Sequence, residues 1–245
     1  MATSFPQSET VAEGLHREGW VSTPSLIQAE VLDALTRELS PLLGEGSGRG
    51  GTRQLLDLPV VQDLARSKAV RSIAEEALGP RCFAVRGILF DKTPSANWKV
   101  TWHQDLTIAV REHRDAAGFG PWSVKERVPH VQPPVAILER MIAVRVHLDE
   151  CGVENGPVRV IPRSHTSGRL SGEDIDRWKE EHAAVNCTVL RGGILAFFPL
   201  LLHSSSPATR PGHRRVVHLE FAAANLPSGL EWYHSIGESD LALSA

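Results

Sequence analysis

The sequence lacks several features that would settle its class at once. No apolar stretch approaches the roughly 20 residues that cross a bilayer, so no membrane association is expected. The opening MATSFPQSET has neither the basic start nor the apolar run of a secretory leader. Cysteine is scarce. Cys82, Cys151 and Cys187 form an odd, scattered set without a CxxC pair, which argues against a disulfide framework and fits a reducing, cytoplasmic setting. Positive charge is not in surplus: Lys plus Arg number 26 against 29 for Asp plus Glu, a formal net charge of -3. That balance excludes the basic footprint of a dedicated nucleic-acid binder and leaves a small molecule as the expected partner. Internal repeats and low-complexity tracts are missing as well. Against a single tyrosine stand eleven histidines. Imidazole is the commonest metal ligand among side chains, so the histidines pose the question of a metal.

At 245 residues the chain suits a single domain, residues 1–245, with a helical part over about 1–80 and a β core over about 82–225. Thr23-Pro24 reads as a helix start, a hydroxyl cap followed by proline. Leu26, Ile27, Val31, Leu32, Leu35, Leu39 and Leu42 then recur at helical spacing. A glycine-rich loop over Gly44–Gly51 ends that helix, and a second amphipathic segment runs from about Val60 to Leu78, stopping at Gly79-Pro80. From Cys82 onward, short apolar runs rich in β-branched and aromatic residues read as strands: Phe83–Phe90, Trp102–Val110, Met141–Leu148, Val158–Ile161, Val189–Leu202 and Val216–Phe221. Helices followed by many strands predict a mainly β fold with flanking helices, a jelly roll that can hold a ligand between two sheets.

Two of these strands alternate informatively. In Met141–Asp149 one face carries Ile142, Val144, Val146 and Leu148, the other Arg145, His147 and Asp149. In Arg214–Phe221 one face carries Arg215, Val217, Leu219 and Phe221, the other Arg214, Val216, His218 and Glu220. Successive side chains point to opposite faces of a sheet. The apolar faces are expected beneath the helices, and the polar faces around a wet interior.

A 2-His-1-carboxylate triad binds one side of a metal and leaves the remaining positions open. His-x-Asp on a strand supplies two of the three ligands from one face. The pattern is weak by itself, with about 0.4 copies expected by chance, yet the chain has three: His103/Asp105, His113/Asp115 and His147/Asp149. His113 and Asp115 sit in an almost wholly charged run, the mark of a solvated loop. His147 and Asp149 sit on the polar face of a good strand, although Arg145 beside them would repel a dication. His103 and Asp105 open an apolar strand that offers the carboxylate no other partner. A distant third ligand is available in His203, at the end of the most apolar run, with Arg214 eleven residues on. An arginine suits the distal carboxylate of an oxo-acid co-substrate through its bidentate fork.

Several ordered motifs carry a resemblance. They are VRGILFDKTP from Val85, NWKVTWHQD from Asn97, RVHLD from Arg145, ENGPVRVIP from Glu154, Ser164-His165, PLLLHSSSP from Pro199 and RRVVHLEF from Arg214. Together these resemble the phytanoyl-CoA dioxygenase family, iron(II)- and 2-oxoglutarate-dependent oxygenases on a double-stranded β-helix. The resemblance implies that His103, Asp105 and His203 bind Fe(II), and it selects His103 over its rivals. It implies 2-oxoglutarate and O2 as co-substrates, with Arg214 on the 5-carboxylate, Ser205 supplying a nearby hydroxyl and Arg145 on the cavity wall. Two positions depart from the family pattern: Arg163 replaces the small residue of a Pro-Gly-Ser-His turn, and Ala208 replaces an asparagine after Ser-Pro. His165 and Asn155 are expected to hold that turn.

The implied activity is hydroxylation of a small organic or lipid-like metabolite, with release of succinate and CO2. Asp105 argues against halogenation, which would need a small residue there to open a halide position. A non-catalytic jelly-roll binding protein and a zinc hydrolase using the same ligands are the alternatives. The first ignores the intact set of four residues, and the second leaves Arg214 without a purpose. Trp98, Trp102 and Trp122 are expected near the mouth as substrate-lining residues, and Gly44–Gly51 and Gly118–Pro134 as candidate lids.

Overall fold

The computed structural model describes residues 10–43 and 51–237. Most of the glycine-rich candidate lid, residues 44–50, therefore lies outside the described residues. Helix α1 (Val11–Glu18) begins with a capping box, Thr10 accepting from the Glu13 amide while Glu13 accepts from Thr10. Strand β1 (Trp20–Ser22) follows directly. Thr23-Pro24 is not a helix start. The Thr23 amide donates to Ile194 at 2.8 Å and its hydroxyl accepts from the Ile194 amide at 3.0 Å, so the residue extends an edge strand. Helix α2 starts only at Ala29 and ends at Leu39; it buries Leu32, Leu35 and Leu39, while Leu26 and Val31 face solvent. The second helical segment is two helices, α3 (Pro59–Arg66) and α4 (Lys68–Leu78), because Ser67 between them is extended.

The strands are β2 (Phe83–Lys92), β3 (Val100–His103), β4 (Ile108–Ala109), β5 (Trp122–Lys125), β6 (Val128–Val131), β7 (Met141–His147), β8 (Val158–Val160), β9 (Val185–Cys187), β10 (Ile194–Phe197), β11 (His203–Ser205) and β12 (Arg214–Ala222). One sheet has the order β1-β10-β7-β12-β2, a second β3-β11-β8-β9, and a third β4-β6-β5. All pairings are antiparallel. The chain is thus mainly β with flanking helices, in the predicted jelly-roll class.

Alternation places the core where expected. Ile142, Val144, Val146, Leu148, Val217, Leu219 and Phe221 pack with Leu32, Leu35, Val61, Leu64 and Ile73 of the helices. The other face of the same sheet meets the second sheet through Ala143, Leu195 and Phe197 against Val158 and Val160. Two predicted strands are broken. Trp102–Val110 divides between β3 and β4, which lie in different sheets, and Asp105 sits in the link between them. Val189–Leu202 divides likewise, since the chain leaves the first sheet after Phe197 and enters the second at His203.

The Gly118–Pro134 segment is not an irregular lid. It contains the β5–β6 hairpin, whose turn residues Glu126 and Arg127 both have positive φ, 50° and 68°. Such turns normally carry Asn or Gly, and their absence hid the hairpin. Arg163 also lies in the left-handed region, φ 69°, which explains why a small residue is favoured in that turn. Its guanidinium is held by Glu18 at 3.1 Å. Asn155 accepts from the Gly152 amide at 3.0 Å and so caps its own turn, not the one at Arg163, while His165 stacks on Phe198 and ties that turn to the His16 carbonyl at 3.2 Å. Ala208 is clamped through its backbone by Asn97.

Candidate metal centre

The interior face of the five-stranded sheet is built in rows by strand register. Arg86 pairs with Glu220; Ile88 with His218 and then Arg145; Phe90 with Val216 and then His147; Lys92 with Arg214. Across from it, β3 and β11 place His103 directly opposite His203, with a bulge before Ser205. Asp105 is fixed through its amide, which donates to the Pro199 carbonyl at 2.8 Å. These rows converge on one cavity of about 260 Å³ lined by His103, Asp105, His203, Ser205, Arg145, Arg214 and Trp98, among others.

Within it the ligating atoms of His103, Asp105 and His203 lie within 4.8 Å of one another. The two imidazole Nε2 atoms each stand 3.6 Å from a different Asp105 oxygen. That is beyond hydrogen-bond reach and leaves all three donors free to share one ion. The tautomers suit this. His103 Nδ1 bonds the Thr101 carbonyl at 2.8 Å and His203 Nδ1 the Leu201 carbonyl at 2.9 Å. Each carbonyl accepts the Nδ1–H, which keeps the proton on Nδ1 and leaves the Nε2 lone pair for a metal. Burial, aided by His103, pushes the His203 pKa down to about 3, so it is neutral. Burial opposes ionisation of Asp105, but His203 and His103 outweigh it and hold the carboxyl below its usual range. Burial opposes a charge on His103, but Asp105 outweighs it and raises its pKa, so a metal at this point would take the place of a proton shared with that carboxylate. Two imidazoles and a carboxylate on one side of a space fit the facial triad of non-haem iron.

Two cations of the same cavity, Arg214 and Arg145, have no carboxylate within ion-pair distance among the described residues. Arg214 is buried, bonds the Gly156 carbonyl, and leaves Nε unpartnered. Arg145 is buried too, bonded to His218 Nδ1 at 3.0 Å and lying over the Phe90 ring at 5.2 Å, with its Nε unpartnered. Burial and the neighbouring Arg214 lower its pKa to about 10. Lys92 is fully buried beside them and donates to Ser205 Oγ at 2.7 Å. Burial, reinforced by Arg214, brings its pKa down to about 7. Ser205 Oγ in turn bonds the Gly156 carbonyl at 3.0 Å. A dianion with one carboxylate against these groups would satisfy them.

The rival histidines separate cleanly. His113 and Asp115 are exposed, 3.7 Å apart, in a loop. Strand β7 ends at His147, so Asp149 does not share its face, contrary to the alternation drawn from sequence. Asp149 instead accepts from Arg215 Nε at 2.8 Å and Nη2 at 2.6 Å. A second group, Asp105, His218 and Glu220, is also compact, but Glu220 is already engaged by Arg86 and, at 3.2 Å, by His218 Nε2. Of the three tryptophans, Trp98 lines the cavity, whereas Trp102 and Trp122 do not. Trp102 alternates with His103 and packs under Arg159 at 5.5 Å. Trp122 meets His113, ring centroids 4.2 Å apart. Sequence reasoning missed Arg86 and Lys92, although both fall on one face of β2 by simple alternation. Nothing in the sequence pointed to Arg53 or Lys125, which line the cavity together with Arg86.

The family model for phytanoyl-CoA dioxygenase matches residues 15–216, a span containing His103, Asp105, Arg145, His203, Ser205 and Arg214. The chain belongs to the phytanoyl-CoA dioxygenase family. It is a 2-oxoglutarate-dependent non-haem iron dioxygenase, with Fe(II) as cofactor and 2-oxoglutarate and O2 as co-substrates. Comparison with curated proteins gives no significant match. Among solved structures the family fold recurs at low identity. EctD from S. alaskensis in its apoform is 20% identical with TM-score 0.69, over 93% of this chain and 83% of that one. AviO1 from Streptomyces viridochromogenes Tue57 is 17% identical with TM-score 0.63, over 89% and 94%. SnoN, a non-heme alpha ketoglutarate dependent epimerase from nogalamycin biosynthesis, is 16% identical with TM-score 0.65, over 92% of both chains. Among the described residues no helix is long and apolar enough to cross a membrane.

Proposed function

We propose that His103, Asp105 and His203 hold the iron, that Arg214 and Ser205 anchor the distal carboxylate of 2-oxoglutarate, and that the enzyme hydroxylates an aliphatic C–H bond of a small organic or lipid-like metabolite. The observation that carries this reading is the sharing of one cavity by a three-donor cluster and two buried arginines that have no carboxylate partner among the described residues. Bound iron(II) supplies the oxidising chemistry, in which substrate, O2 and 2-oxoglutarate become hydroxylated product, succinate and CO2. The chain's part is positioning. Thr101 and Leu201 carbonyls hold the imidazoles in their ligating tautomer, and the Pro199 carbonyl holds the Asp105 backbone. Arg214 offers a planar fork whose cost of burial is recovered when an anion arrives. Arg145, braced by His218 and Phe90, adds positive charge on the same wall, one strand away. Asp105 fills the carboxylate position, which favours hydroxyl rather than halide transfer.

Other outcomes are known on this fold by the printed descriptions of its relatives, which include an epimerase and a carbocyclase. The test is a screen of small organic and lipid-like compounds read by succinate release under oxygen, with product mass. Substrate-dependent succinate and a gain of one oxygen atom are expected. Succinate release with a product of unchanged oxygen content would refute hydroxylation.

A further inference from the structure

We infer that the substrate carries an anionic group, a carboxylate or a phosphate, which Arg53 and Lys125 receive in the cavity that holds the three-donor cluster. This rests on the dioxygenase reading above and names the substrate class for that site. The charge balance of the cavity carries it. Five cations line the space, Arg53, Arg86, Lys125, Arg145 and Arg214, against two carboxylates, Asp105 and Glu220. Glu220 is taken by Arg86. Asp105 belongs to the metal cluster, and 2-oxoglutarate accounts for Arg214 and Arg145. Arg53 and Lys125 remain.

Neither has an adequate partner. Arg53 meets Glu126 at 3.2 Å, a pair whose carboxylate is 45% exposed and which contributes little in water. Among the described residues no carboxylate lies within ion-pair distance of Lys125; its Nζ reaches only Thr107 Oγ1 at 3.5 Å, the limit of a hydrogen bond. Lys125 is nonetheless half-buried, and a cation withdrawn from water needs an anion to recover its lost hydration. Burial, with repulsion from Arg86 and Arg53, lowers its pKa, as expected of a site built for a ligand that the protein itself does not supply. Apolar wall between strands comes from Ile88, Val100 and Trp98. The substrate this combination fits has an apolar body and one anionic head.

Titration calorimetry with hexanoate, hexyl phosphate and the neutral isostere hexanamide tests the assignment, on protein saturated with zinc(II) and N-oxalylglycine so that Arg214 is occupied. Wild type is expected to bind one of the two anions at least about tenfold tighter than hexanamide, and the preferred anion tells carboxylate from phosphate. That preference should collapse towards one in Lys125→Met and in Arg53→Gln, and return in Lys125→Arg. Equal affinity for hexanamide, or a preference that survives both substitutions, overturns the proposal. Uncoupled succinate release by the iron(II) enzyme with 2-oxoglutarate under oxygen reads the dioxygenase assignment separately: its loss in His103→Ala is expected and its persistence there refutes that reading, while the calorimetric ratio alone decides the anion site.

Discussion

Replacing Arg214 with methionine should damage co-substrate binding while leaving the fold as stable as before, or more so. Arg214 is 4% exposed, its Nε is unpartnered, and its Nη1 bonds a backbone carbonyl. Burial lowers its pKa, so the folded chain holds this charge at a cost. Removing a buried charge that lacks an ionic partner is neutral or stabilising by about 1–4 kcal/mol. The lost bond to Gly156 costs about 1 kcal/mol. The net effect is a melting temperature unchanged or raised, by about 2–4 °C per kcal/mol at this chain length. With 2-oxoglutarate present the balance reverses. Deleting one partner of a buried charge pair costs about 2–5 kcal/mol, which raises Kd by about 30-fold to several thousand-fold. The assay is anaerobic titration of the iron(II) protein with 2-oxoglutarate, followed by its visible charge-transfer band, beside thermal unfolding of the metal-free protein. A large fall in melting temperature with unchanged 2-oxoglutarate affinity would make Arg214 a structural residue with no part in binding the co-substrate.

Leu219→Ala, on the opposite face of the same strand and fully buried against the helices, should cost about 2–5 kcal/mol in urea unfolding without changing 2-oxoglutarate affinity of the folded protein. Lys92 has a folded pKa of about 7, below its unfolded value. The unfolded chain therefore binds more protons above pH 7, and the lysine's contribution to stability improves as pH rises. Stability of wild type relative to Lys92→Met should increase by about 2 kcal/mol from pH 7.5 to 9.5; a flat difference would contradict the depressed pKa. His147→Ala should keep one metal per chain by elemental analysis and His203→Ala should lose it, because Asp149 is held by Arg215. The opposite result would restore the rival site.

The fold class and the inward polar faces were legible because period-2 alternation survives in β7 and β12, where one face packs on helices and the other lines a cavity. Strand ends were not. Trp102–Val110 and Val189–Leu202 look continuous in apolar character, yet each crosses between sheets, a change of partner that hydrophobicity does not encode. The β5–β6 hairpin was hidden because Glu126 and Arg127 occupy turn positions usually given to Asn and Gly. The helix start at Thr23 failed for a different reason: a hydroxyl that caps helices also serves an edge strand, and tertiary pairing with Ile194 decided between them. In the candidate site, the proximity of His103 to His203 depends on register between strands a hundred residues apart. Spacing could nominate both residues but could not place them opposite one another. Arg53 and Lys125 gave no signal at all, since exposed and cavity-facing cations look alike in a sequence.

One anaerobic experiment decides the metal assignment: titration of the metal-free protein with Fe(II) in the presence of 2-oxoglutarate, monitored in the visible. One equivalent of iron should produce the charge-transfer band, and both the band and the bound iron should be lost in His103→Ala and in Asp105→Asn. Wild type that binds no iron, or a band of undiminished strength in His103→Ala, would contradict the assignment of the metal to these residues.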